Sequence, residues 1–414
     1  MGRRCLRKRG PVVSTSLGKV EGSLVKTENG KKVYSYRGIP YGCPPLGERR
    51  FKKPEPVSAW KHTIDCRREA KKSLQPNVLF PEKHLLAEGG EDCLYLSVFT
   101  KTAPGKEGET GPLPVVVFLH GGAFLVGSCQ ADLYGPQVIS LIWFWVTLTY
   151  IQVLLDHPFV LVGVNYRLGP LGWLSLGCEE APGNLGLWDQ RLALLWVRDH
   201  ISAFGGDPSS VTLMGESAGA MSAMLHMVAP PSAGLFHRVV ALSGTPSNPL
   251  LHLSRKPAAY ARTFAKRLGC DEGLDDEGIL KFLQSVTAKR ILKNGLIFKD
   301  WDNAAPMPWV PVDDSHLKEP FLPLSFYEAV KAGKIEKVPV IMGCCKDEGL
   351  ILSAPFQRYR TQLDILTRFN GQTKSSKYLI MFLAVTGIPG LHCCSLGERG
   401  IWWGTRRLKL WGGT

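Results

Sequence analysis

The chain has 414 residues, 44% hydrophobic and 9% aromatic, which is apolar material for one large globular core or two average ones. Lys and Arg number 50 against 36 Asp and Glu, for a formal charge of +14. Apart from a basic cluster at residues 3–9 and another at 406–409, these charges are dispersed, which argues against a nucleic-acid surface. The 11 cysteines contain no C-x-x-C spacing, so no structural zinc is expected.

The opening MGRRCLRKRG is charged and leads into no apolar segment, so no signal peptide is expected in it. Apolar runs rich in β-branched residues at Val115–Leu119, Phe159–Tyr166, Val211–Met214, Val239–Leu242 and Val338–Met342 read as buried strands. Between the first two lies Val138–Leu155, 18 residues without a charge, just long enough for a membrane span. A span there would divide one sheet between two sides of a bilayer, so a membrane role is not expected. Trp188, Leu192, Leu195 and Trp196 mark a helix between the second and third strands, closed by Gly205-Gly206. Tyr260, Phe264 and Leu268, ending at Gly269, mark another. Strands alternating with helices predict an α/β fold with a mostly parallel sheet and helices on both faces. From about Thr373 the sequence shows no clear period.

Two motifs sit at strand exits. Met214-Gly215-Glu216-Ser217-Ala218-Gly219-Ala220 places a serine between glycines at G-x-S-x-G spacing, directly after a strand and before the apolar stretch Ala218–Val228. In a strand-turn-helix, that spacing forces the serine into a strained, exposed position at a helix N-terminus, where the dipole favours developing negative charge. His120-Gly121-Gly122-Ala123-Phe124 follows the strand Val115–Leu119 and matches the glycine loop that supplies backbone N–H donors in such an architecture. The Gly122, Ala123 and Ala218 amides are therefore the expected oxyanion hole.

These motifs, with YRGIPYGCPPLGERRFKKPEP, GGEDCLYLSVFT, LVGVNYRLGPLGWLS, GNLGLWDQRLALLWVRDHISAFGGDPSSVTLMGESAGA and VPVIMGCCKDEGL, resemble the type-B carboxylesterase and cholinesterase family of α/β-hydrolases over residues 11–372. The resemblance implies one α/β-hydrolase domain that cleaves small-molecule carboxylic esters through an acyl-enzyme, without cofactor or metal, in an extracellular setting. It implies Ser217 as nucleophile and Glu348 as triad acid, with Asp347 a neighbour. It also implies a disulfide between Cys66 and Cys93 and the ion pairs Arg50–Glu91 and Arg167–Asp189. Residues 67–92 hold no tryptophan, unlike the choline-binding relatives, and Glu216 differs from the glutamine of the juvenile hormone esterases. A general carboxylesterase is the expected kind.

Three stretches depart from the family pattern: the basic start 1–10, an uncharged insert at about 142–153, and the tail 373–414, so the domain is expected to be incomplete at its C-terminus. The triad base should follow Glu348 in a His-Gly-acidic context. His392 is the one histidine after Glu348, and it stands in Leu391-His392-Cys393-Cys394 instead. The expectation is an esterase impaired for want of a base; the alternative is a non-catalytic binding or adhesion member of the same family.

Overall fold

The structure, a computed structural model, describes residues 8–26, 30–77, 87–102, 111–130, 157–247, 256–295 and 308–346, with the backbone of 392–393, 396–397 and 400–401. The uncharged run 138–155 and Glu348 lie outside the described residues. No helix among the described residues is long and apolar enough to cross a membrane.

The five strands expected from apolar runs are present and form the parallel half of one mixed sheet. They are preceded by four strands that alternation did not reveal: β1 (Lys8–Thr15), β2 (Gly18–Lys26), β3 (Lys32–Pro40) and β4 (Tyr95–Thr100). These pair antiparallel, and β4 joins them to the parallel part by an antiparallel ladder with β6. The parallel part comprises β5 (Leu113–Leu119), β6 (Val160–Val164), β7 (Gly206–Glu216), β8 (Arg238–Leu242), β9 (Val340–Gly343) and the two-residue β10 (His392–Cys393). Across the sheet the order is β1-β2-β3-β4-β6-β5-β7-β8-β9-β10.

That order has a reversal. The chain moves from β5 to β6 in one direction, then crosses back over β5 to β7 and continues outward to β8 and β9. The reversal lies between β5 and β7, paired in register from Val211↔Val115 to Gly215↔Leu119. Open α/β sheets bind ligands outside the strand C-termini at such a point. Both motifs of interest begin there: His120 directly follows β5, and Ser217 directly follows β7.

Period-two side-chain alternation gives each face its own core. Val115, Val117 and Leu119 of β5, with Val211 and Leu213 of β7, belong to the larger cluster, to which the described helices contribute their buried apolar side chains. Phe118 and Met214 belong to a smaller cluster with Phe99 and Leu161 on the opposite face. The crossover helix α1 (Gly169–Trp173) is short; α2 (Leu185–His200) runs 16 residues and α3 (Ala218–Val228) 11. α2 is buried well beyond the expected Trp188/Leu192/Trp196 stripe, taking in Asp189, Gln190 and Leu194 as well. The stripe at Tyr260 and Phe264 is α4 (Pro257–Arg267). It is followed by α5 (Asp276–Ser285), α6 (Ala288–Gly295) and α7 (Phe326–Lys331).

Both expected ion pairs are formed. Arg167 meets Asp189 through Nε (2.8 Å) and Nη2 (2.7 Å), and its own backbone N–H donates to the same carboxylate (3.0 Å). Arg50 grips Glu91 with Nε (2.6 Å) and Nη2 (2.8 Å), while its Nη1 donates to the carbonyls of Leu283, Gln284 and Val286 in and after α5. Arg50 thus ties the N-terminal strands to the helical layer.

The disulfide that the resemblance implies between Cys66 and Cys93 is not seen at bonding distance in this structure, where both stand as buried thiols. Burial pushes each up to about 12. Cys66 is fastened between β2 and β3, its N–H donating to Glu21 O and its carbonyl accepting from Arg37 N, with Tyr36 as neighbour. The side chain that meets the Cys93 thiol is the hydroxyl of Ser73.

Candidate active site

Ser217 occupies φ 54°, ψ −120° as the N-cap of α3. A side-chain-bearing residue reaches positive φ only at a cost of order 1–3 kcal/mol, and it persists where surroundings over-determine it. They do so here from three strands. Ser217 N–H donates to Leu242 O at the end of β8 (2.8 Å), and Ser217 O accepts from Met221 N (3.0 Å) inside α3. The flanking glycines remove obstacles: a Cβ on Gly219 would lie 2.0 Å from Leu119 O of β5, and one on Gly215 would lie 2.1 Å from Gly219 O. No side chain fits either position without moving backbone.

The glycine loop after β5 lies directly against this elbow. A Cβ built on Gly121 would stand 3.1 Å from Ser217 Cβ and 2.3 Å from Glu216 Oε2. Gly122, Ala123 and Phe124 take consecutive positive φ values of 110°, 55° and 62°. The turn closes on Gly122 O, which accepts from Leu125 N (2.9 Å) and Val126 N (3.0 Å). Phe124 is buried against Trp173 of α1, ring centroids 4.5 Å apart. None of the Gly122, Ala123 and Ala218 amides donates to another described residue. Three unspent donors thus flank a half-buried serine.

Residues that the motifs did not single out hold the loop. His120 is buried and stacked on Tyr166 (centroids 4.3 Å), with Nδ1 2.8 Å from Gly121 O; Tyr166 Oη donates to His120 O (2.6 Å). Burial pulls the His120 pKa down to about 4, so the ring is neutral at physiological pH. Its Nε2 has no partner among the described residues. Gln75 clamps the far end of the loop, its Nε2 donating to Gly127 O (2.7 Å) and its Oε1 accepting from Gly127 N (2.8 Å). Behind the elbow, His226 of α3 bridges Ser232 Oγ (2.7 Å) and Gln190 Oε1 (3.0 Å) of α2, and burial pulls its pKa down to about 3. His120 and His226 thus act on the scaffold of the elbow and loop, His120 through its Nδ1 contact and Tyr166 stack and His226 through Ser232 and Gln190.

The described part of the acid-bearing segment runs from β9 to Lys346, two residues short of Glu348. β9 pairs parallel to β8 with Leu242↔Gly343, and Ser243 N–H donates to Gly343 O (2.7 Å), so the segment leaves the sheet on the same edge as the elbow. His392 lies on β10, its backbone paired with Ile341. Two cavities sit away from the serine. One, about 10 Å³, lies between the ion pairs at Arg50 and Arg167, and a larger one of about 480 Å³ opens beside Trp188. The backbone geometry, and not either cavity, marks the candidate reactive centre. No group of His, Cys, Asp and Glu among the described residues could hold a metal.

Sequence comparison with known proteins agrees with this fold. A sequence model of the Carboxylesterase family matches residues 9–382. Juvenile hormone esterase of Tribolium castaneum is 34% identical over 364 residues, covering 86% of this chain and 58% of its own length. Para-nitrobenzyl esterase of Bacillus subtilis is 35% identical over 349 residues (83% and 64%), and acetylcholinesterase of Danio rerio 32% over 359 (83% and 52%). The chain therefore spans about three-fifths of the length of the first two, with 58% and 64% covered. A mixed sheet whose parallel strands lead into a glycine loop and a serine elbow, and a match along most of the sequence, place the chain in the carboxylesterase family, with the α/β-hydrolase fold.

Proposed function

We propose that the chain carries the ester-binding and nucleophilic half of a carboxylic ester hydrolase. As Ser217 Oγ attacks the ester carbonyl carbon, its proton passes to a general base, the carbonyl π electrons move onto oxygen, and the Gly122, Ala123 and Ala218 amides receive that oxyanion. On collapse the base returns the proton to the departing alkoxide, which leaves as the alcohol, and water, deprotonated by the same base, cleaves the acyl-serine to the carboxylate and restores the serine proton. Glu348 is the acid that would orient the base. The observation that carries the reading is the strained Ser217 backbone pressed against a loop with unspent amide donors. Removing one such donor elsewhere costs about 2.7–4 kcal/mol of transition-state stabilisation.

The base is the weak member. His392 lacks a His-Gly-acidic context, so the 414-residue chain is expected to turn esters over slowly. Loss of a triad histidine lowers kcat by roughly 10⁶, while oxyanion donors and binding leave roughly 10³–10⁴ over water. The test is labelling by a fluorophosphonate probe alongside turnover of a p-nitrophenyl ester. Labelling that Ser217→Ala abolishes, with little turnover, supports the reading. Labelling that survives Ser217→Ala would refute the nucleophile, and brisk turnover lost equally in Ser217→Ala and His392→Ala would make His392 the base.

A further inference from the structure

Trp188 and Arg191 lie three residues apart on α2 and share one face of it. Phe321 holds the Trp188 ring edge-on, centroids 5.0 Å apart. Pro230 and Pro231, in the turn after α3, and Pro320 and Pro323, ahead of α7, complete the mainly apolar wall of the 480 Å³ cavity. That volume falls within the range of small-molecule sites. The cavity is remote in sequence from the glycine loop, and its residues have no part in the chemistry above.

The charges of this groove are unbalanced in a specific way. Glu319, the acid of its rim, is occupied by Lys53, 3.2 Å away, whose Nζ lies 4.3 Å from the Trp188 ring centroid. Arg191 is half-buried, and its Nε is spent on Pro231 O (2.6 Å). Among the described residues no carboxylate lies within ion-pair distance of its guanidinium. Burial, and after it the charge of Arg198, pulls the Arg191 pKa down, as for a cation lacking a counter-ion. A partly desolvated guanidinium 5.7 Å from the Trp188 ring centroid, its Nη donors unspent among the described residues, beside an apolar wall is complementary to one singly charged, planar anion with a hydrocarbon body. A phosphate dianion would need more donors than this groove offers.

We propose that the Trp188–Arg191 groove binds an amphiphilic monocarboxylate, its hydrocarbon against Trp188 and the prolines and its carboxylate on Arg191. Such acids are the product class of ester hydrolysis; that connection rests on the esterase reading, whereas the binding chemistry does not. The test is calorimetric titration of the full chain with sodium decanoate below its micellar concentration, and with decanol as the neutral counterpart. One-site decanoate binding should weaken roughly ten- to a hundred-fold in Arg191→Met, the loss of one charge-assisted hydrogen-bonded contact. It should weaken with added salt, and tighten severalfold in Glu319→Gln, which removes the rim's negative charge. Decanol should bind more weakly and ignore both substitutions. Decanoate held at the Ser217 site would be indifferent to Arg191→Met and to Glu319→Gln, and that result overturns the proposal. Should Arg191→Met fail to fold, Glu319→Gln decides alone. Fluorophosphonate labelling, read separately, reports on Ser217 and leaves the two readings distinguishable.

Discussion

Ser73→Cys is expected to create a cross-link to Cys93. The Ser73 hydroxyl reaches the Cys93 thiol, both side chains line the small cavity beside Arg167, and Ser73 bridges to Gly90 just ahead of Cys93. Replacing Oγ by Sγ puts two sulfurs in contact across a closed loop of about 20 residues, for which chain entropy gives about 3 kcal/mol. Against this stands the loss of the Ser73 Oγ donation to Tyr166 O, a buried 2.6 Å hydrogen bond whose removal costs about 1–2 kcal/mol. The oxidised variant should therefore be more stable than the parent by about 1–2 kcal/mol, and the reduced variant less stable by a similar amount. The oxidised and reduced forms of the variant should differ by roughly 6 °C in Tm, taking about 2 °C per kcal/mol for a large domain.

The assay is mass spectrometry of alkylated thiols after mild oxidation, paired with thermal unfolding with and without dithiothreitol. Ser73→Cys should lose two alkylatable thiols relative to its reduced form and gain a dithiothreitol-sensitive Tm. The additional change Cys93→Ser should erase both effects, whereas Cys66→Ala should leave them intact. A bridge that depends on Cys66, or a folded variant whose thiols all stay open after oxidation, would refute the placement of Ser73 against Cys93.

Two further outcomes follow from buried groups. Asp189→Ala strands the Arg167 guanidinium, whose side chain is 4% exposed, and should cost about 3–5 kcal/mol in urea unfolding, with Arg167→Met/Asp189→Leu recovering most of it; a loss below about 1 kcal/mol would contradict the buried pair. His120 and His226 are neutral when folded, with pKa values pulled down to about 4 and about 3, below the 6.5 of an unperturbed histidine. The unfolded state therefore takes up these protons first: stability is full above about pH 7, then falls between about 6.5 and 4, by roughly 3 kcal/mol per histidine at pH 4. Urea midpoints at pH 7, 5.5 and 4.5 should show this decline, and His226→Gln should lessen it; a flat profile would show that these rings are solvated.

What the sequence revealed divides along the distance over which each feature is specified. The strand around Val115 and the elbow at Ser217 are local: a largely buried apolar strand, then glycines at positions where Leu119 O and Gly219 O leave no room for a Cβ. Such signals survive without knowledge of neighbours. The N-terminal layer was less legible because β2 and β3 bury polar residues such as Ser23 and Ser35 among half-exposed ones, which blurs the period of two. The partner of Cys93 was illegible for a different reason. The resemblance implied Cys66, and it is the path of the chain between β3 and β4 that brings the Ser73 hydroxyl to the Cys93 thiol. Gln75 lies in no motif and Tyr166 stands inside one without a role read from it; their part in holding the glycine loop exists only through contacts with residues far along the chain.

The same distinction separates presenting a nucleophile from activating it. Presentation of Ser217 draws on β5, β7, β8 and α3, joined by the Leu242 O hydrogen bond and by glycine contacts that forbid other arrangements. Among the described residues, the strain at φ 54° is held by packing and backbone hydrogen bonds from the sheet and α3. On the proposed reading, activation needs side chains carried beyond β9, outside the parallel strands that flank the reversal. An elbow stable in its own right can form in a chain whose proton-transfer partners are not in place, because the energy that strains the serine comes from the sheet and not from the triad. Phosphonate labelling and ester turnover then report different things: labelling needs base-assisted attack by Ser217 only once per molecule and accumulates over a long exposure, whereas turnover needs it at acylation and again at deacylation in every cycle. A chain that labels slowly at Ser217 and barely turns over is the expected outcome, and fast labelling accompanied by fast turnover would mean that a competent base is present.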